Sequence, residues 1–253
     1  MKGRNIKLII AYDGTDFHGW QRQETQAETV QGVMENALEE MHKHPVSITG
    51  AGRTDAGVHA AGQTANFYTD IDSIPKEKFI PALNSILPKD VRVLEAQEVP
   101  QEFHARFSAV SRTYRYYFIC NRKIMPHESR YNLHLWRFPN LETLNAYGRL
   151  LLGETDCTIF AGAGDTALTE GKSAYRYIYN ARFFMENSRL VFEIRANAFL
   201  RNMVRSITGT FLHYEENCTD PKELQKIIAS GRRKLAGPTL PPQGLFLQKV
   251  EYL

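Results

Sequence analysis

The chain has 253 residues, 43% of them hydrophobic and 23% charged, a globular balance that supports a sizeable core without disulfides. Three widely spaced cysteines (Cys120, Cys157, Cys218), no Cys-x-x-Cys, no zincin histidine pair, no apolar run of membrane-spanning length and no signal-type N-terminus argue against secretion, membrane insertion and zinc, and favour reduced thiols in a cytoplasmic setting. The net charge of +3 by itself selects no partner.

Ile6, Leu8, Ile10 and Tyr12 alternate, which predicts a strand over about 5–12, closed by the turn signal Asp13-Gly14. Val30, Val33, Met34, Ala37, Leu38 and Met41 recur at helical spacing behind a Thr29 cap. Strands near 46–51 and 62–68 flank a glycine-rich loop. Ser73 is the expected cap of a second helix, with Pro75 in its first turn and Phe79, Leu83, Ile86 and Leu87 as its buried stripe. Val91 and Val93 open another strand. The order is βαββαβ, the ferredoxin-like pattern.

A similar order follows. Tyr114, Tyr116, Phe118 and Cys120 alternate on a long strand, and Leu141, Leu144, Tyr147 and Leu151 mark a helix capped by Asn140. A glycine-rich loop is expected over 161–171. Residues 175–183 and 190–196 read as a hairpin across Glu186-Asn187-Ser188. Leu200, Met203, Val204, Ile207, Thr208 and Phe211 line a helix. Asp220-Pro221-x-Glu223 starts a shorter one, closed by Gly231, and 245–252 forms the last strand. The expected fold class is therefore α+β, in two halves, 1–105 and 106–253, whose sheets can lie side by side.

The stretch with chemical content is Gly50-Ala51-Gly52-Arg53-Thr54-Asp55-Ala56-Gly57-Val58-His59-Ala60-Ala61-Gly62-Gln63. Its glycines allow positive φ and close approach, and Arg53 stands two residues from the one carboxylate, Asp55. Two readings are open: a turn aspartate with a surface arginine, or an aspartate pushed into a cleft with a cation nearby. This stretch fails the nucleotide fingerprints, since it is not a Gly-x-Gly-x-x-Gly followed by a helix and no Gly-Lys-Ser/Thr pair completes it. Basic residues are unevenly spread. Residues 103–140 carry seven Lys/Arg against one Glu, and 171–205 carry seven against two, which suits a polyanion-binding face.

Gly-Arg-Thr-Asp-Ala-Gly-Val-His at 52–59 resembles the signature loop of the tRNA pseudouridine synthase A family. Further segments resemble that family in the same order: Tyr12-Asp13-Gly14-Thr15, Phe17-His18-Gly19-Trp20-Gln21-Arg22-Gln23, Thr29-Val30-Gln31-Gly32, Phe103-His104-Ala105-Arg106-Phe107-Ser108, Tyr114-Arg115-Tyr116, Asn197-Ala198-Phe199-Leu200 with Met203-Val204-Arg205, and Gly244-Leu245-Phe246-Leu247. One departure stands out. At Asp156-Cys157-Thr158-Ile159-Phe160 the family's Asp-Phe-x-x-Phe has a cysteine for its first phenylalanine, which puts the packing there in question.

The resemblance implies two ferredoxin-like halves with adjoining antiparallel sheets and a central RNA-binding cleft. It implies isomerisation of uridine to pseudouridine at positions 38, 39 and 40 of the tRNA anticodon stem-loop by a homodimer, with no cofactor and no metal. Asp55 is the implied catalytic carboxylate. Tyr114 is the implied ring that stacks on the extruded base, and Arg205 the arginine set against the aspartate. Arg53 is assigned to the nucleotide phosphate or RNA backbone, and His59 to structure. The residues do not choose whether Asp55 attacks C1′ or the base or removes a ribose proton. Rival readings are the same chemistry on another RNA, a tRNA chaperone without catalysis, and a nucleoside glycosidase.

Overall fold

The computed structural model describes residues 3–24, 27–120, 122–162, 164–165 and 169–253. The loop expected over 161–171 lies partly outside them, at 163 and 166–168. The protein is α+β, with mostly antiparallel sheets, and divides into two compact units. One comprises 1–110 and 246–253, the other 111–245.

The first unit contains β1 (Arg4–Tyr12), α1 (Val30–His42), β2 (Ile48–Gly50), β3 (His59–Thr69), α2 (Phe79–Ile86) and β4 (Val91–Val99). It also holds nearly all of β10 (Leu245–Tyr252), from Phe246 onward. β1 pairs antiparallel with β4 on one side and β3 on the other. β2 pairs antiparallel with β3, and β10 meets the start of β3 in parallel, Phe246 opposite His59. The alternation on β1 has a direct cause: Ile6, Leu8, Ile10 and Tyr12 are all buried, at 0–5% exposure. Alternate strand positions face one side of the sheet, and that side takes the helices. Thr29 caps α1, its side chain accepting the Gly32 N–H, and Val30, Met34, Ala37 and Leu38 are buried. Phe79 of α2 sets its ring edge-on to Phe67 of β3, centroids 5.7 Å apart.

Two expectations fail here. Ser73 does not cap the second helix. A 3₁₀ turn, Lys76–Lys78, follows Pro75 and leads into α2, whose start has no side-chain cap. Proline's fixed φ and missing N–H suit a position just ahead of that tight turn. The strand after the loop also begins earlier than residue 62, at His59, because Tyr12 of β1 and Phe246 and Leu247 of β10 extend its pairing through Ala60. Glu35 of α1, although charged, is only 8% exposed.

The second unit contains most of β5 (Ala109–Cys120), a one-turn helix α3 (Pro126–Ser129), β6 (Leu133–Leu135), α4 (Leu141–Arg149), β7 (Gly153–Asp156), β8 (Tyr175–Glu186), β9 (Arg189–Ala196), α5 (Met203–Glu216) and α6 (Pro221–Ala229). Its strands run β5-β9-β8-β7, antiparallel throughout, with β6 parallel to β5. Asn187 and Ser188 both have positive φ, as a two-residue hairpin with the right-handed strand twist requires. Asn140 caps α4 through the Thr143 N–H, and Asp220 caps α6 through the Lys222 N–H. Cys157, Ile159 and Phe160 are all fully buried. The departure at Asp156-Cys157 therefore leaves a packed core, and Asp156 accepts both the N–H and the hydroxyl of Thr158 to hold the turn.

Candidate active site

Asp55 lies in the loop 51–58 between β2 and β3. The loop is tied at both ends. The Ala51 N–H donates to the Thr64 carbonyl at 2.7 Å, and the Gln63 side-chain amide donates to the Gly52 carbonyl at 2.8 Å. At the far end the Val58 N–H donates to the Asp55 carbonyl at 3.1 Å, closing a turn with Ala56 and Gly57 at its centre. Gly57 has φ +76°, as a type II turn requires at its third position. The turn therefore uses the main chain of Asp55. Its side chain is half-buried, while Thr54 and Val58 beside it are 5% and 1% exposed.

A second segment grips this loop. The Trp20 N–H donates to the Thr54 carbonyl at 3.1 Å and the Gly57 N–H to the Phe17 carbonyl at 3.2 Å. Gly19 has φ +90°, and a Cβ there would lie 2.7 Å from the Thr54 carbonyl oxygen and 3.2 Å from the Ala56 nitrogen. A Cβ at Gly14 would fall 2.0 Å from the Val58 carbonyl oxygen. Inside the collar the Tyr12 and Thr54 hydroxyls meet at 2.8 Å. Trp20 is 2% exposed and lies against Gly50, so it belongs to the core. The sequence shows Tyr12 closing a strand, Asp13-Gly14 as its turn and the rest of 12–20 through resemblance, and none of these reveals the buttress. The spacing of Gly14 and Gly19 was the available signal, but it acquires meaning only once the partner backbone is known.

His59 is fully buried and structural. Its ring stacks on Phe246 at 4.5 Å, and Nδ1 accepts the Gly14 N–H at 3.0 Å. Arg53 is exposed, and its Nε donates to Gln21 Oε1 at 3.2 Å.

The other two expected site residues belong to the second unit. Tyr114, on β5 opposite Ile194, is 8% exposed and meets Phe199 edge-on at 5.0 Å. Arg205 lies in the first turn of α5 and is half-buried. Its Nε donates to the Leu240 carbonyl at 2.6 Å, and one η nitrogen donates to Asn202 Oδ1 at 2.8 Å. Those bonds take part of the desolvation burden of an arginine on an otherwise apolar helix face. Tyr116, two residues past Tyr114, was not singled out. Its hydroxyl donates to the Pro241 carbonyl at 2.6 Å. Burial raises its pKa above the ordinary tyrosine range, with the Arg205 charge a smaller opposing influence. Among the described residues there is no cluster of three or more His, Cys, Asp or Glu suited to a metal, and no helix is long and apolar enough to cross a membrane.

Fold and loop together define an α+β protein that carries an aspartate on a buttressed Gly-Arg-Thr-Asp loop. The family model described as tRNA pseudouridine synthase matches residues 8–108 and 148–253, and the chain belongs to that family. It is 52% identical to a tRNA pseudouridine synthase A of Treponema denticola, covering 98% of this chain and 93% of that protein. It is 46% identical to one from Treponema pallidum (93% and 84%) and 42% identical to one from Caldicellulosiruptor saccharolyticus (98% and 100%).

Proposed function

We propose that this protein converts uridine to pseudouridine at positions 38, 39 and 40 of the tRNA anticodon stem-loop, with Asp55 as the essential carboxylate. The N1–C1′ bond breaks, the uracil turns, a C5–C1′ bond forms, and the proton lost from C5 is balanced by one gained at N1. Atoms and electrons are conserved, so the reaction requires no redox partner. One observation carries the reading: in a nearly full-length family relative, the Gly-Arg-Thr-Asp-Ala-Gly-Val-His sequence stands intact on a loop held from both sides.

In this reading Tyr114 stacks on the extruded base, a contact worth roughly 1–3 kcal/mol by analogy with single-strand binders. Arg205 faces the Asp55 carboxylate, and Arg53 holds a phosphate. Each unit is read as a ferredoxin-like half, an inference that the β4-β1-β3-β2 pairing of the first unit supports. The working form is a cytoplasmic homodimer, and recognition rests on RNA shape and backbone charge. The test is to incubate unmodified tRNA transcripts with wild type and with Asp55→Ala and to map pseudouridine. Product at 38–40 from the wild type alone is expected. Product from both proteins, or product only in another RNA, would overturn the assignment.

A further inference from the structure

Arg53 does not stand alone on its loop. Its Nε donates to Gln21 Oε1 at 3.2 Å, and the Gln21 amide nitrogen donates to Gln31 Oε1 at 2.7 Å. The Gln31 amide nitrogen in turn donates to Glu35 Oε1 at 2.9 Å. The far end of this chain is fixed. Glu35 is 8% exposed, accepts the Ile48 N–H at 3.3 Å through the same oxygen, and accepts an Arg22 η nitrogen at 3.1 Å through the other. Gln31 is anchored too, since its oxygen accepts the Arg22 backbone N–H at 3.0 Å and its nitrogen also donates to the Ile48 carbonyl at 3.3 Å.

The chain has one polarity. A guanidinium can only donate, and an ionised carboxylate can only accept. With a donor at one end and an acceptor at the other, each intervening amide has a single orientation that makes both of its bonds. The relay also occupies one particular atom of Arg53. Nε is engaged, while the two η nitrogens make no hydrogen bond to the described residues of the first unit and sit on an exposed side chain. The two η nitrogens form the forked end of a guanidinium, the end that grips a phosphate through two parallel bonds. A free arginine side chain loses close to the largest rotamer entropy of any residue when it is ordered. Holding it from behind removes part of that loss before RNA arrives.

We propose that Gln21, Gln31 and Glu35 are positioning residues that fix the Arg53 guanidinium for a backbone phosphate of the tRNA. The proposal rests on the reading of Arg53 above. It adds that the affinity of that contact is set from α1, more than 15 positions away in sequence, through two amides.

The test is a double-mutant cycle on the Asp55→Ala chain, so that binding is read apart from chemistry. The dissociation constant for a labelled anticodon stem-loop RNA is measured by fluorescence anisotropy. Gln21→Met keeps side-chain length and removes both polar ends at a surface position. It is expected to weaken binding about three- to tenfold, the loss of roughly one net hydrogen bond's support. Gln31→Met is expected to do the same. In an Arg53→Ala background, either substitution is expected to add less than about twofold, because contacting groups couple and independent ones add. The slope of log affinity against log salt should fall by about 0.7–0.9 on losing Arg53, as for one phosphate contact, and the relay variants should move it the same way. With Asp55 restored, Gln21→Met should raise KM for tRNA more than it lowers kcat. Unchanged affinity in Gln21→Met, or a loss that persists in full beside Arg53→Ala, overturns the relay even if pseudouridine is made. RNA binding that shows the predicted coupling while the wild type makes no pseudouridine overturns the enzyme reading and leaves the relay standing.

Discussion

Gly19→Ala probes the buttress directly. Gly19 has φ +90°, where an L side chain costs about 1–2 kcal/mol relative to glycine. The new Cβ would sit 2.7 Å from the Thr54 carbonyl oxygen, against an ordinary contact of at least 3.4 Å, so the two chains must part by about 3.4 − 2.7 = 0.7 Å. The obstructing atoms are backbone, and no side chain can swing aside; such overpacking adds roughly 1–3 kcal/mol. The sum is about 2–5 kcal/mol, or a fall in Tm of roughly 4–20 °C for a chain of this size. The same displacement acts one residue from Asp55. Because a 1 Å error at a reacting group can cost ~10²-fold, kcat/KM should fall about 10- to 100-fold. Thermal denaturation followed by circular dichroism gives the first number. Release of tritium from tRNA labelled at uracil C5 gives the second. Gly52→Ala is the control for stability. It lies in the same loop with no positive φ, and its Cβ would meet nothing within 4 Å, so Tm should stay within about 1–2 °C of wild type. A Gly19→Ala protein as stable and as active as wild type would refute the reasoning. A Gly52→Ala protein that melts as early as Gly19→Ala would do so equally.

Two further outcomes are expected. His59→Ala opens a cavity under Phe246 and orphans the Gly14 N–H, and should destabilise by about 3–5 kcal/mol. His59→Phe keeps the ring and loses the Nδ1 contacts to the Gly14 N–H and the Asp13 carboxylate, for about 1–3 kcal/mol. Urea midpoints that rank the two in reverse order would refute the packing account. On the surface, the Arg122 guanidinium, with help from the Met125 N–H, holds the Glu128 carboxyl down from 4.5 to about 2. A depressed carboxylate stabilises its fold above the unfolded value, and that contribution is lost as pH falls from about 4.5 through about 2. Carboxyl carbon NMR shifts should titrate Glu128 near 2 in wild type and close to the ordinary value in Arg122→Ala. An unchanged midpoint in the variant would rule out the arginine as cause.

Much of the fold was legible in the chain because local physics fixes it. The alternation of Ile6, Leu8 and Ile10 needs only a two-sided strand, and the stripe on α1 with its Thr29 cap needs only a helical period and an orphaned N–H. The Asp220-Pro221 start of α6 is decided by the same orphaned donors. Short elements were not legible. β6 and β7 have three and four residues, too few to display a period, and exist because β5 and β8 offer them an edge. Ser73 had the right residue type for a cap, yet Pro75 and a 3₁₀ turn intervened.

For the candidate site, the loop, its aspartate and its arginine are visible in the sequence alone, since these are residue types in a fixed order. Only tertiary structure decided what each glycine is for. Gly57 makes a turn, Gly14 and Gly19 admit a neighbouring backbone, and Gly52 does neither. It also decided that Glu35 is a buried anchor and that Gln21 and Gln31 line up behind Arg53. Hydrogen-bond polarity and steric exclusion join residues distant in sequence, and a linear pattern carries no record of which backbone atom will stand 2.7 Å from a missing side chain.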